Sequence, residues 1–433
     1  MAFLTDLDSR AAIKGSRDPL ATQAIWVPFG RRVVGNLSTV TTSLRDFTVL
    51  LLGFWFVEKA LEGGSEDSDV SLFLKWEQLA GYARVCHDLG GFRGVEGVRA
   101  NLSQDSKVTL SAERAHQILG NQKIYGLWGL YTVPARSSGL LQDDPLRLTP
   151  RAREFVERHY VPAFTRAGSR EGAAVVRLLV PASARIECGG KDAALLGAIA
   201  SLLRPDRLTP AEREFYDDML VRGGPDNDTD GRQIRLADLL HRTVASEEFV
   251  FSPASLGCLA EAANDRAAPG SLAIRLERIR YCETMLAPAT RLFLFLLARH
   301  GKPIAGIAGE VREAWGPRLA HLELARIAEL RDELTSITEG AEGAERWLGI
   351  ASDLAHGHYL DAIERVIAHN AIVMRQRGGA APWIEVRDER IHVAFRDENG
   401  RLPERRELPS LWRSSYFLDS LRAIVGQVRG AHA

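Results

Sequence analysis

Arg114, Gln117 and Asn121 stand at i, i+3 and i+7, a spacing that puts three polar side chains on one face of a helix. Arginine offers a paired hydrogen bond to guanine, and glutamine or asparagine to adenine, at base edges in a major groove. Lys123 follows on the same stretch, and Arg136, Arg147, Arg151 and Arg153 are cations of the kind that neutralise phosphates. The chemistry on offer is recognition of double-stranded DNA, with no bond made or broken. The plainer alternative is a solvated outer face, or a helix that contacts protein.

These residues need elements to carry them. Ser111 as N-cap with Glu113 in the first turn predicts a helix to about Tyr125. The segment Tyr131–Gly139 is rich in turn formers and leads into Leu140-Leu141. Leu146-Arg-Leu-Thr-Pro150 then opens a charged amphipathic helix from Arg151 to His159. Helix, hairpin, strand and a Thr-Pro-capped helix are the order of a winged-helix module, which would begin near Ser71 and end near Tyr160. Between Arg84 and Arg170 there are 13 Lys+Arg against 8 Asp+Glu, although the 433-residue chain carries a net charge of −1. A protein basic all over is excluded, whereas a local basic face is not.

Around that module the pattern is mostly helical. Ser43 with Asp46 resembles a capping box opening an apolar helix through about Leu61. Leu72 to Val85 is amphipathic and is broken by Gly90-Gly-Phe-Arg-Gly94. Val175 to Val180 is β-like, and Ala193 to Leu203 is a helix. Leu208-Thr-Pro-Ala-Glu-Arg-Glu-Phe215 echoes Leu148-Thr-Pro-Arg-Ala-Arg-Glu-Phe155. This is one capping solution used twice, with a duplicated domain as the alternative. Near the end, Trp383–Arg387 and Ile391–Phe395 alternate as a β-hairpin, and Leu411 to Val428 forms a last helix. The expected organisation is 1–70 an irregular segment and buried helix, 71–170 the winged-helix-like domain, 171–377 a helical domain, and 378–433 a hairpin plus helix. The fold class is mainly α.

Other motifs fall short of chemistry. Asp226-Asn-Asp-Thr-Asp-Gly231 starts like a calcium loop, yet Ala237 stands where the bidentate Glu belongs. His356-Gly-His358, with His321 and His369 elsewhere, has no carboxylate at evident ligand spacing and reads as a turn. The glycines at 90–97 and Gly189-Gly190-Lys191-Asp192 fit no phosphate-loop or dinucleotide pattern. Glu187 and Lys191 are not spaced as in a nuclease. The sequence therefore predicts no catalytic residue, no metal ligand and no cofactor.

Cys86, Cys188, Cys258 and Cys282 are far apart and form no Cys-x-x-Cys pair, which predicts buried or free thiols in a reducing cytoplasm. The longest apolar run, Phe47–Val57, is shorter than the roughly 20 residues of a membrane span. No membrane association is expected.

Two stretches carry a resemblance. Lys14-Gly-Ser-Arg-Asp-Pro19 with Phe29-Gly-Arg-Arg-Val-Val-Gly-Asn-Leu37, and Pro382-Trp383 with Leu408-Pro-Ser-Leu-Trp-Arg-Ser-Ser-Tyr-Phe417, are similar to a family of uncharacterised bacterial proteins. That family sits in antiviral defence or restriction gene clusters beside helicases and phospholipase-D-type nucleases. The resemblance implies a partner-dependent component of a defence system and transfers no catalytic residue. Joined to the residue pattern, it predicts a non-enzymatic subunit binding double-stranded DNA, a helicase or nuclease partner, or both. The alternatives are an assembly scaffold without DNA contact, a metal-dependent nuclease with scattered ligands, and a stand-alone transcription regulator.

Overall fold

The computed structural model describes residues 18–166, 168–225, 227–243, 249–268, 270–338, 340–377, 381–396 and 400–430. Residues 14–17 of the first motif and Asp226 of the acidic run lie outside them. As the sequence predicts, the protein is mainly α-helical and ends in a β-hairpin and a final helix; the described residues form three two-stranded antiparallel sheets. Two compact units are each assembled from separate stretches of chain: Met1–Val33 with Ser246–Tyr416, and Val34–Ala245 with Phe417–Ala433. The boundaries expected after residues 70, 170 and 377 fall inside these units, and the hairpin and last helix belong to different ones.

In the unit Val34–Ala245 with Phe417–Ala433, the helix Leu44–Glu62 is buried at every position from Leu44 to Val57. A helix apolar on all sides has to be enclosed by others. Its start differs from the expected capping box, because Ser43 makes no side-chain cap bond. Gln427 accepts from the Leu44 amide instead, at 3.0 Å, so a residue of the final helix Leu418–Arg429 does the capping. The polar first turn points inward. Arg45 pairs with buried Glu212 at 2.5 Å and donates to the carbonyls of Arg204 and Arg207. Thr48 Oγ1 lies 2.9 Å from the Tyr216 hydroxyl.

The Thr-Pro echo becomes two capped helices, Pro150–His159 and Pro210–Tyr216, with Thr149 and Thr209 as their N-caps. The matching phenylalanines, Phe155 and Phe215, stack face to face with centroids 3.9 Å apart. Val175 to Val180 is not a strand: Ala173–Leu179 is a helix whose Val175 and Leu179, four residues apart, are both buried. Cys86 and Cys188 are joined as a disulfide, correcting the expectation of unpaired thiols, and Cys258 and Cys282 are free.

The expected recognition helix is also corrected. Lys107–Ser111 is a strand paired antiparallel with Ser183–Glu187, followed by a 3-10 turn at Arg114–His116 and one helical turn at Gln122–Tyr125. The cause is long-range. Gln78 takes both backbone groups of Ser111, donating to its carbonyl at 2.8 Å and accepting from its amide at 3.0 Å. The turn-rich segment after Tyr131 lies largely within a helix, Leu127–Ser137, which buries Tyr131, Pro134 and Ala135. Only the end of the winged-helix order forms as expected: Leu141–Gln142 pairs with Arg147–Leu148 ahead of the capped helix.

A clamp of two buried amides ties this unit together. After Tyr216 the chain widens into a π-helical stretch, Asp217–Val221. Asn36 Nδ2 donates to the carbonyls of Met219 and Leu220 and to Ser138 Oγ, while Gln233 Nε2 donates to Leu220, Val221 and Asn36 Oδ1. Gln233, a polar residue where a calcium loop would carry an apolar one, here holds a helix end. Replacing Asn36 by Ala strands several buried polar groups. We expect a loss of about 2–4 kcal/mol, read by urea denaturation, whereas Asn227→Ala in the exposed loop beside it should cost far less.

In the unit Met1–Val33 with Ser246–Tyr416, the long helix Leu272–Leu296 carries buried Glu283. Its carboxylate accepts from the Arg413 and Ser414 amides and the Tyr416 hydroxyl. The segment 411–417, expected as helix, is thus held in non-helical form. His369 Nε2 lies 2.9 Å from the Leu20 carbonyl, and burial pushes its pKa down to about 4. The hairpin Ile384–Arg387 with Arg390–Val393 turns through Asp388 and Glu389, both at positive φ. Its second strand is hydrogen-bonded on the far side to Gly301 and Lys302. Among the described residues, no helix is long and apolar enough to cross a membrane.

Candidate functional site

The eight residues expected to contact DNA lie in the unit Val34–Ala245 with Phe417–Ala433, but not on one helix face. Arg114 is exposed in the 3-10 turn. Gln117 is committed to the backbone, donating to the Ala112 carbonyl and accepting from the Gln122 amide, both at 2.9 Å. Asn121 caps the short helix by accepting from the Ile124 amide. Lys123 and Arg147 are exposed. Three arginines have carboxylate partners: Arg136 with Asp143 at 2.8 Å, Arg151 with Asp218 at 2.5 Å, and Arg153 with Glu58. Arginines paired in this way meet a phosphate with part of their charge already matched by a carboxylate of the same chain.

What this stretch does present is a mixed apolar and basic shoulder. Ile124, Tyr125 and Val133 are exposed to 53%, 42% and 54%, three large apolar side chains within ten residues of one another. Gly129 makes the shoulder compact, because a Cβ there would meet the Ile124 carbonyl oxygen at 2.2 Å and that of Lys123 at 2.6 Å. Val133 and Arg136 lie four and seven residues beyond Gly129 on the helix Leu127–Ser137, on the same face.

A buried carboxylate fixes the shoulder from beneath. Glu77 accepts from the Leu127 amide at 2.7 Å and from Gln122 Nε2 at 2.8 Å. A Cβ at Gly126 would sit 2.7 Å from a Glu77 oxygen, so only glycine fits there. Asp46 accepts from Arg84 at 3.1 Å and from the Tyr131 hydroxyl at 3.3 Å. Desolvation raises the Glu77 pKa to about 7. Asp46, Glu77, Arg84 and Arg93 border a cavity of about 10 Å³, far below the roughly 300 Å³ of a small-molecule site. The sequence signal for this centre was present in Lys75, Glu77 and Gln78, three polar residues on a helix where all three are buried.

Two open grooves carry balanced charge. One, of about 590 Å³, is lined by Arg151, Arg213, Asp217, Asp218, Arg222 and Arg429, with Arg151, Arg222 and Arg429 each paired to a carboxylate. The other, of about 390 Å³ in the second unit, includes Arg266, Glu277, Arg280, Arg326 and Glu329, similarly matched. Neither is a single-sign cradle for phosphates. The His356–His358 turn is corrected in one respect: Asp353 and Asp361, on the two helices it joins, bring carboxylate oxygens within 4.8 Å of a His358 ring nitrogen. No protein-family model, curated protein or solved structure matches this chain.

Glu77 gives a pH test of the buried centre. Its folded pKa lies above the ordinary 4.5, so the native state holds the proton more tightly than the unfolded chain. The stability from this group is complete below about pH 4.5 and is lost as pH rises to about 7, by about 3 kcal/mol. Urea melts of the protein and Glu77→Gln across that range should show the wild-type advantage shrinking with rising pH. Parallel pH profiles would refute the assignment.

Proposed function

We propose that this chain is a non-enzymatic binding subunit that docks a protein partner through the shoulder formed by Lys123, Ile124, Tyr125, Val133 and Arg136. The observation carrying this reading is the exposure of three large apolar side chains, flanked by cations, on the helical turn Gln122–Tyr125 and the helix Leu127–Ser137 that follows it. Tyrosine and arginine beside exposed aliphatic groups are the composition of binding hot spots. The placement within an antiphage defence system, with a helicase or nuclease as partner, rests on the resemblance of the chain's two ends. The pairing of Arg136, Arg151 and Arg153 with acids of the same chain favours protein over DNA as the ligand.

A second reading, contact with double-stranded DNA, is favoured by Arg114, Lys123 and Arg147, which are exposed and have no ion-pair partner among the described residues. Phosphate contacts of this kind make affinity fall steeply with salt. The two readings separate in one set of variants. Tyr125→Ala with Val133→Asp should abolish co-purification with the helicase or nuclease of the same system. Arg114→Ala with Lys123→Ala should leave it nearly intact. Fluorescence anisotropy on a generic duplex should show weak binding at physiological salt. Tight duplex binding lost in the Arg114/Lys123 variant, with co-purification indifferent to Tyr125 and Val133, would reverse the order.

A further inference from the structure

The geometry points to a binding site for one divalent first-row transition-metal ion, of the zinc or cobalt class, held by Asp353, His358 and Asp361. The site lies in the unit Met1–Val33 with Ser246–Tyr416, where the helix Ala341–His356 turns into the helix Tyr359–Gln376. One ligand atom from each side chain lies within 4.8 Å of the other two. Two bonds of about 2.1 Å at the tetrahedral angle place ligand atoms about 3.4 Å apart, so closure draws the three atoms together by up to about 1.4 Å, a movement within reach of side-chain rotation. No hydrogen bond or ion pair joins the three side chains to one another.

The frame around the three ligands is rigid, which a site of this kind requires. Gly357 at φ 75° reverses the chain, and its Cβ position is occupied by the Pro317 carbonyl oxygen at 1.7 Å. Arg312 donates to the Gly357 carbonyl at 2.8 Å, and the buried Tyr359 donates its hydroxyl to Gly316 at 2.9 Å. The His358 amide bonds the Asp353 carbonyl at 2.8 Å. Arg365 Nε donates to Asp353 Oδ2 at 2.6 Å. This orients the carboxylate as an outer-shell partner does and leaves its other oxygen for an ion. His356 stacks its ring on that of His358, with centroids 5.7 Å apart, while its Nδ1 lies 2.8 Å from the Ser352 carbonyl.

The donor set decides the ion class. One imidazole with two carboxylates suits zinc, cobalt or manganese, whereas magnesium and calcium prefer oxygen alone. His358 and Asp361 are exposed, so water completes the coordination sphere and the site is open, not the closed four-ligand type that staples small folds. The inference is independent of the docking surface, which lies in the other unit.

The test uses the full chain, without a histidine tag and stripped with chelator, titrated with cobalt(II) while visible absorption is followed, and with zinc by calorimetry. One equivalent should bind at micromolar concentration. His358→Ala and Asp361→Asn should each weaken binding by at least about tenfold, while His356→Ala leaves it unchanged. Circular dichroism melts confirm folding, and the exposed His358→Ala decides the matter should Asp361→Asn perturb its helix. Absence of binding, or binding indifferent to His358→Ala, overturns the site. Loss of binding in His356→Ala overturns the ligand assignment.

Discussion

The helix Leu44–Glu62 is buried together with a charged first turn, and much of its unit is arranged to make that tolerable. Each large apolar side chain taken out of water contributes roughly 1.5–3 kcal/mol, and this helix supplies a long series of them. Arg45 and Asp46 go inside with the rest. A buried charge left alone is strongly destabilising, so each needs a matched partner. Glu212 meets Arg45, and Arg84 with Tyr131 meets Asp46. Those partners sit on Pro210–Tyr216, Asp69–Val85 and Leu127–Ser137, so satisfying two charges positions three neighbouring helices. Such pairs add little net stability over apolar packing, but they penalise every other arrangement.

The same requirement explains why the stretch 111–125 is not a recognition helix. Gln78, already inside, needs partners for its amide and finds both on Ser111. Glu77 needs donors and finds the Leu127 amide and Gln122. Gln117 and Asn121, free in a helical reading, are spent on turns. What is left for a ligand is the shoulder that these bonds hold up. Val133 has nowhere inside to go, because the face of Leu127–Ser137 that turns inward is already occupied by Tyr131, Pro134 and Ala135.

The Asp353–His358–Asp361 turn works on another scale. Its three side chains lie within nine residues, and their convergence follows from one helix ending, a left-handed glycine and the next helix beginning. Its sequence nevertheless looks unremarkable, since the spacing fits neither a helix face nor a strand. The close approach of the Pro317 carbonyl leaves no room for a side chain at 357, and the bond from the His358 amide to the Asp353 carbonyl closes the turn.

By itself the sequence determined the features that local physics controls: the helical class, the buried helix after Ser43, the Thr-Pro starts at Thr149 and Thr209, and the C-terminal hairpin. Each follows from periodicity or from a cap formed within four residues, and a short chain segment contains all the atoms involved. Tertiary structure decided the rest. The Cys86–Cys188 pairing spans 102 residues, the Asn36–Gln233 clamp spans 197, and the Gln427 cap on Leu44 spans 383. Polar side chains carry no label saying which distant backbone group they will satisfy. That choice is made only when packing brings candidates together and the cost of an unpaired buried group rejects all but one. The division into two discontinuous units, and the loss of a recognition helix that local pattern favoured, are consequences of that long-range matching.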